Sequence, residues 1–68
     1  MERDGSEHVR QEIEVGRLRA ELSAEFGSVA GDEIEQDIRA EFDRRATYPI
    51  QDFVAVFVER SVRARLRQ

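Results

Sequence analysis

The sequence predicts an all-α fold, a short three-helix bundle, and three observations predict it. Apolar residues recur at three- and four-residue steps through most of the chain, the period of an amphipathic helix. Two breaks, at Gly27-Ser28 and at Tyr48-Pro49, divide that pattern into three segments joined by short connections. The one strand-like run, Phe53-Val54-Ala55-Val56-Phe57-Val58, has no second run with which to pair, and a lone strand leaves its backbone polar groups unsatisfied. Helices are expected over about residues 6–26, 31–46 and 50–67, forming one domain over 6–68 behind a flexible N-terminal tail, 1–5.

In the first segment, Asp4 with Glu7 has capping-box spacing, and Ser6 competes as an N-cap. Val15, Leu18, Leu22 and Phe26 share one stripe, whereas Val9, Ile13, Ala20 and Ala24 fall on another side. Gly16 costs the helix about 1 kcal/mol relative to Ala, or else marks a close helix contact. Gly27 is placed as a left-handed C-cap.

In the second segment, Ile34, Ile38 and Phe42 make the stripe. Asp32, Glu33 and Glu35 stand at its start and Arg44 and Arg45 at its end, the charges that the helix dipole favours at each terminus. Glu35–Arg39 and Glu41–Arg45 have i,i+4 spacing and are expected to add a few tenths of a kcal/mol each.

The third segment opens after Pro49, which is tolerated in a first helical turn. It carries two apolar sides. Ile50, Phe53, Phe57 and Ala64 gather on one, and Val54, Val58, Val62 and Leu66 on the next. A bundle helix normally shows a single stripe a little over 100° wide. Two explanations stand side by side: a third helix packed on both others, or one that also meets a second chain.

Composition narrows the function classes. A chain of 68 residues hides roughly 60% of its unfolded surface and is marginally stable alone. Disulfides, a metal or oligomerisation are the usual reinforcements. There is no cysteine, and the single histidine, His8, has no second imidazole beside it. The Asp32, Glu33, Glu35 and Asp37 group lacks the spacing of a calcium loop. No cofactor and no metal site are therefore expected. No nucleophile is set against a base, no phosphate-binding glycine motif is present, and no enzymatic activity is expected. No apolar stretch approaches the ~20 residues that cross a bilayer, and the expected location is cytoplasmic.

Charge is uneven. Residues 44–68 hold six Arg and two acids, whereas residues 1–43 hold five Arg and thirteen acids, within a net charge of −4. Arg60, Arg63 and Arg67 share a helical face and are a candidate anion contact. The alternative is a helix end dressed with cations to suit its dipole and to offset the acidic helices beside it. The overall acidity speaks against general nucleic-acid binding.

From Leu18 to Leu66 the chain resembles the small actinobacterial three-helix bundle dimerization domain. That domain occurs as short stand-alone proteins and ahead of phosphatase-like arsenate reductases. The resemblance rests on Leu18 to Phe26 followed by Gly27-Ser28-Val29. It rests further on Pro49-Ile50-Gln51-Asp52-Phe53-Val54-Ala55-Val56-Phe57-Val58-Glu59-Arg60 with Ala64-Arg65-Leu66, similar to a Pro-x-x-Asp-Phe-Val-Pro-Val-Leu-Val-Glu-Arg pattern. Three positions depart: Ala55 and Gly31 stand where the family often has Pro, and Ala30 where it often has Asp. The resemblance implies a dimerising bundle and implies no reductase chemistry, which uses a separate cysteine-bearing domain.

The expected role is thus non-catalytic homodimerisation, with the third helix supplying much of the contact. The expected core is Leu18, Leu22, Phe26, Ile34, Ile38, Phe42, Phe53 and Phe57. The expected dimer contact is Val54, Val58, Val62 and Leu66, with Val9 and Ile13. On that division Val58→Asp yields a folded monomer. The alternatives are a dimeric, antitoxin-like regulator that touches nucleic acid through Arg60, Arg63, Arg65 and Arg67, and an adaptor for a different protein.

Overall fold

The computed structural model describes residues 2–48 and 53–68, with side chains from Val9 onward. Among the described residues the chain forms three helices and no strand: α1 (Glu2–Glu25), α2 (Gly31–Arg44) and α3 (Val54–Leu66). The start of α1 lies at Glu2, four residues before the start expected at residue 6, so the helix runs through most of the expected tail. The expected beginning of the third helix, at Ile50 to Asp52, lies outside the described residues.

Ion pairs fix the sense of each helix. Glu12 meets Arg39, and Arg19 meets Glu35 and Asp32, so α1 and α2 run antiparallel. Arg45 reaches Ser61 while Arg65 reaches Asp37, so α2 and α3 are also antiparallel. Helix α2 is central and packs extensively on both neighbours, whereas α1 and α3 touch each other less. At about 1.5 Å per residue the 24-residue α1 is some 36 Å long and accounts for most of the 40 Å long axis.

The α1–α2 connection is a tight turn in which the Val29 amide donates to the Phe26 carbonyl at 3.0 Å. Gly27 is not left-handed, contrary to its expected C-cap role; among the described residues no φ is positive. Helix α2 begins behind Ala30, whose side chain offers no oxygen to cap the first amides. Asp32 and Glu33 in its first turn supply the negative charge instead. Gly31 has a role that the sequence pattern hides. A Cβ there would stand 3.0 Å from Arg19 Nη2, so the missing side chain lets the Arg19 guanidinium cross the start of α2.

The core comprises Val15, Leu18 and Leu22 of α1, Ile34, Ile38 and Phe42 of α2, and Val54, Val58 and Val62 of α3. Phe26, Val29, Ala55 and Leu66 pack half-buried against it. Helices α1 and α2 therefore bury the stripes that their spacing predicts. The third helix reverses its expected division. Val54, Val58 and Val62 are at most 2% exposed, whereas Phe53 and Phe57 are 58% and 45% exposed.

The physical reason is continuity and girth. The valine stripe continues through Leu66 along the whole of α3, while on the Phe53–Phe57 side the charged Arg60 stands between Phe57 and Ala64. Burying the unbroken line encloses no charged side chain, and each large apolar side chain fully enclosed contributes about 1.5–3 kcal/mol. Short β-branched side chains also let α3 lie close against Ile34 and Ile38, where phenylalanines would hold it away.

Val58→Asp is accordingly expected to unfold the chain rather than release a folded monomer, because it places an unpaired charge in a fully enclosed site. Phe57→Asp, on the outside, is expected to shift stability by about 1 kcal/mol or less. Circular dichroism melts of the two variants check both; a cooperative native-like melt for Val58→Asp would contradict the packing described.

Candidate functional site

Of the six residues expected at a dimer contact, only Val9 and Ile13 stand fully outside, at 56% and 63% exposure. Val54, Val58 and Val62 are core, and Leu66 lies half-buried against it. The outer side of α3 instead presents Phe53, Val56 and Phe57, all 45% exposed or more, with Tyr48 exposed just before. The outer side of α1 presents Val9, Ile13, Gly16 and Ala20. Each group faces away from its own helix's buried stripe, so the two lie on different sides of the bundle. The signal for the α3 face was in the sequence, as the second apolar side of that helix; the wheel could not say which side turned inward.

The Arg-rich end is largely neutralised within the chain. Arg63 donates to Glu25 at 3.0 Å and to Glu59 at 2.8 Å. The Arg63 hydrogen bond is the main reason that the Glu25 carboxyl is held below the ordinary range, and Arg67, 3.7 Å away, adds its charge. Arg65 donates to Asp37 at 3.4 Å and to Glu41 at 3.0 Å. Arg60 is exposed and forms no ion pair with any described residue. The expected anion-contacting face of Arg60, Arg63 and Arg67 thus holds two exposed cations, Arg60 and Arg67, the latter within ion-pair distance of Glu25, and a half-buried Arg63 held by Glu25 and Glu59.

Glu41 is the side chain that sequence reading placed least well. Its spacing to Arg45 predicts an i,i+4 pair worth a few tenths of a kcal/mol, yet Glu41 is 2% exposed. Three guanidinium groups enclose it: Arg45, Arg44 at 3.3 Å and Arg65 at 3.0 Å. Arg45 is itself mostly enclosed and donates onward to Ser61 Oγ at 2.9 Å. The carboxylate therefore joins the C-terminal end of α2 to α3. Among the described residues no buried side-chain polar atom lacks a partner.

Burial pushes the Glu41 carboxyl up, but the Arg45 hydrogen bond and the charges of Arg44, Arg45 and Arg65 outweigh it and hold the group below its ordinary value. A carboxyl lowered on folding stabilises the fold fully above its unfolded pKa, about 4.3. That contribution is lost as pH falls through the lower folded value. Glu25 acts in the same direction.

Around α1 the same logic holds in more exposed form. Arg39 bridges Glu12 at 2.7 Å and Glu35 at 2.9 Å, and Arg17 joins Glu14 at 2.6 Å to Glu21 at 2.9 Å. Asp32 and Glu35 are taken up by Arg19 and Asp37 by Arg65. Among the described residues no cluster of three or more His, Cys, Asp or Glu is arranged to hold a metal ion. None of their helices is long and apolar enough to cross a membrane.

Comparison with family models, with curated proteins and with solved structures finds no match to this chain.

Two measurements probe the Glu41 assembly. Glu41→Ala removes the carboxylate from the enclosed Arg45, which keeps Ser61 Oγ and the residue-41 carbonyl as acceptors, while Arg44 and Arg65 can rehydrate; the expected loss is about 3 kcal/mol, the low end for breaking a buried pair. In thermal melts on acidification, Glu41→Gln should lose less stability below about pH 4.3 than the parent does. Equal acid sensitivity in both would remove Glu41 from that role.

Proposed function

We propose that this chain is a non-catalytic self-association module, a three-helix bundle that forms a homodimer. The observation that carries the reading is apolar surface left outside a core that has already closed. Val9 and Ile13 on α1, and Phe53, Val56 and Phe57 on α3, are all 45% exposed or more. A standard interface covers about 800 Å² per partner, about a sixth of the 4991 Å² that the single chain exposes. Association would supply the burial that so short a chain lacks by itself.

The resemblance to the actinobacterial three-helix bundle dimerization domain points the same way, and membership of that family is part of the proposal. The departures at Ala30 and Gly31 have a local counterpart here, since α2 starts without a side-chain cap. A contact with nucleic acid through the Arg-rich end draws less support, because Arg63, Arg65 and Arg67 are paired with carboxylates and the chain is acidic overall.

A second reading has its own observation. The outer α3 face combines three apolar side chains with the exposed Arg60, which suits a different protein carrying an apolar and acidic surface. Light scattering behind size exclusion separates the two. A mass near twice 7.9 kDa that persists on dilution supports self-association. A single-chain mass at every concentration would sink it. A dimer mass unchanged in folded Phe57→Asp would leave the α3 face to another partner.

A further inference from the structure

We infer that two copies pair in parallel along the outer face of α1, with Val9, Ile13, Gly16 and Ala20 forming the seam. The inference rests on the self-association reading and names the surface and geometry it uses. All four residues are exposed. Their steps of four, three and four are the spacing by which one helix packs against another in a two-stranded coil. They lie opposite the buried stripe of Val15, Leu18 and Leu22, so the bundle behind them is complete without them.

Gly16 is the residue that the single chain does not account for. It sits in the middle of a 24-residue helix, where glycine is unfavourable. Its φ is not positive, and a Cβ added there would meet nothing within 4 Å. The fold of one chain therefore has no use for the missing side chain. A second helix crossing at this point has one, because Gly16 and Ala20 one turn on allow two backbones to come close.

Charge selects the occupant and its direction. With Ile13 and Ala20 at a positions and Val9 and Gly16 at d, Glu12 takes a g position, and Arg10 and Arg17 take e positions. In a parallel pair each g faces the e of the partner's next heptad, so Glu12 meets Arg17 of the second copy, twice by symmetry. An antiparallel pair would set Arg10 against Arg17 along one edge and Glu12 against Arg19 along the other, so its repulsion offsets its attraction, whereas the parallel pair has the two attractive contacts alone. Glu12 and Arg17 already pair within their own chain, with Arg39 and with Glu14 and Glu21, so the cross-contacts would join existing networks. Helix α1 is also the longest helix described, 24 residues against 13 in α3. It is already held helical by the bundle, so a short seam need not also order the helix.

The chain has no cysteine, which makes single-cysteine crosslinking clean. In a parallel seam each position meets itself. Ile13→Cys and Ala20→Cys should each give a disulfide-linked dimer under mild oxidation, and Phe57→Cys should not. Linkage through Phe57→Cys with none through Ile13→Cys would move the contact to α3 and overturn this inference while leaving self-association standing. Linkage only when Val9→Cys and Ala20→Cys chains are mixed would make the seam antiparallel and overturn its direction. A wild-type chain that scatters as a monomer throughout would remove the underlying reading itself. Gly16→Ala adds a readout that a purely structural glycine would not give. It should raise the melting temperature of the dilute chain yet weaken the dimer about tenfold. An unchanged or tighter dimer would count against the seam.

Discussion

The close approach of α3 to α2 is the constraint on which the rest of the molecule depends. Val54, Val58 and Val62 make that approach, each at most 2% exposed against the stripe of Ile34, Ile38 and Phe42. Once the valines turn inward, every other position on α3 is assigned. Phe53, Val56 and Phe57 go outside, Leu66 closes the end of the core, and Arg65 swings toward α2. Helix α2, packed on both sides, then holds α1 through Leu18 and Leu22.

That packing also explains the buried carboxylate. At the C-terminal end of α2, Glu41 stands beside Phe42 of the buried stripe and is enclosed where α2 meets α3. Enclosing a charge is costly unless it is paired and hydrogen-bonded. Here Arg44, Arg45 and Arg65 surround it, and Ser61 takes the remaining reach of Arg45. The Arg-rich C-terminal segment thus serves the fold: Arg65 neutralises Glu41 and Asp37, and Arg63 neutralises Glu25 and Glu59. An uneven distribution along the chain becomes an even one in space, because α3 lies against the acidic helices.

With the core closed and most cations paired, what remains to be explained lies outside. The two apolar faces differ in kind. The α3 face is short and aromatic, beside an exposed Arg60, and suits a pocket or groove. The α1 face is long and narrow, with a glycine at its centre, and suits another helix. A protein carrying both could join copies through one and present the other to something else, which is why the dimer proposal and the adaptor reading need not compete for the same residues.

The sequence by itself determined the three helices, the break between the first two and the buried stripes of α1 and α2, since Leu18, Leu22, Ile34, Ile38 and Phe42 follow from period alone. Each of those helices carries one dominant stripe, and a single stripe has only one place to go. It also held both sides of α3 and the outer residues Val9 and Ile13. Tertiary structure alone decided which side of α3 faces inward. A helical wheel fixes angles about one axis and contains no information about where the neighbouring axes stand. For the same reason the i,i+4 spacing of Glu41 and Arg45 could not reveal a buried pair, and Gly31 could not reveal Arg19 passing over it. Both depend on residues from another helix, brought near by packing rather than by position in the chain.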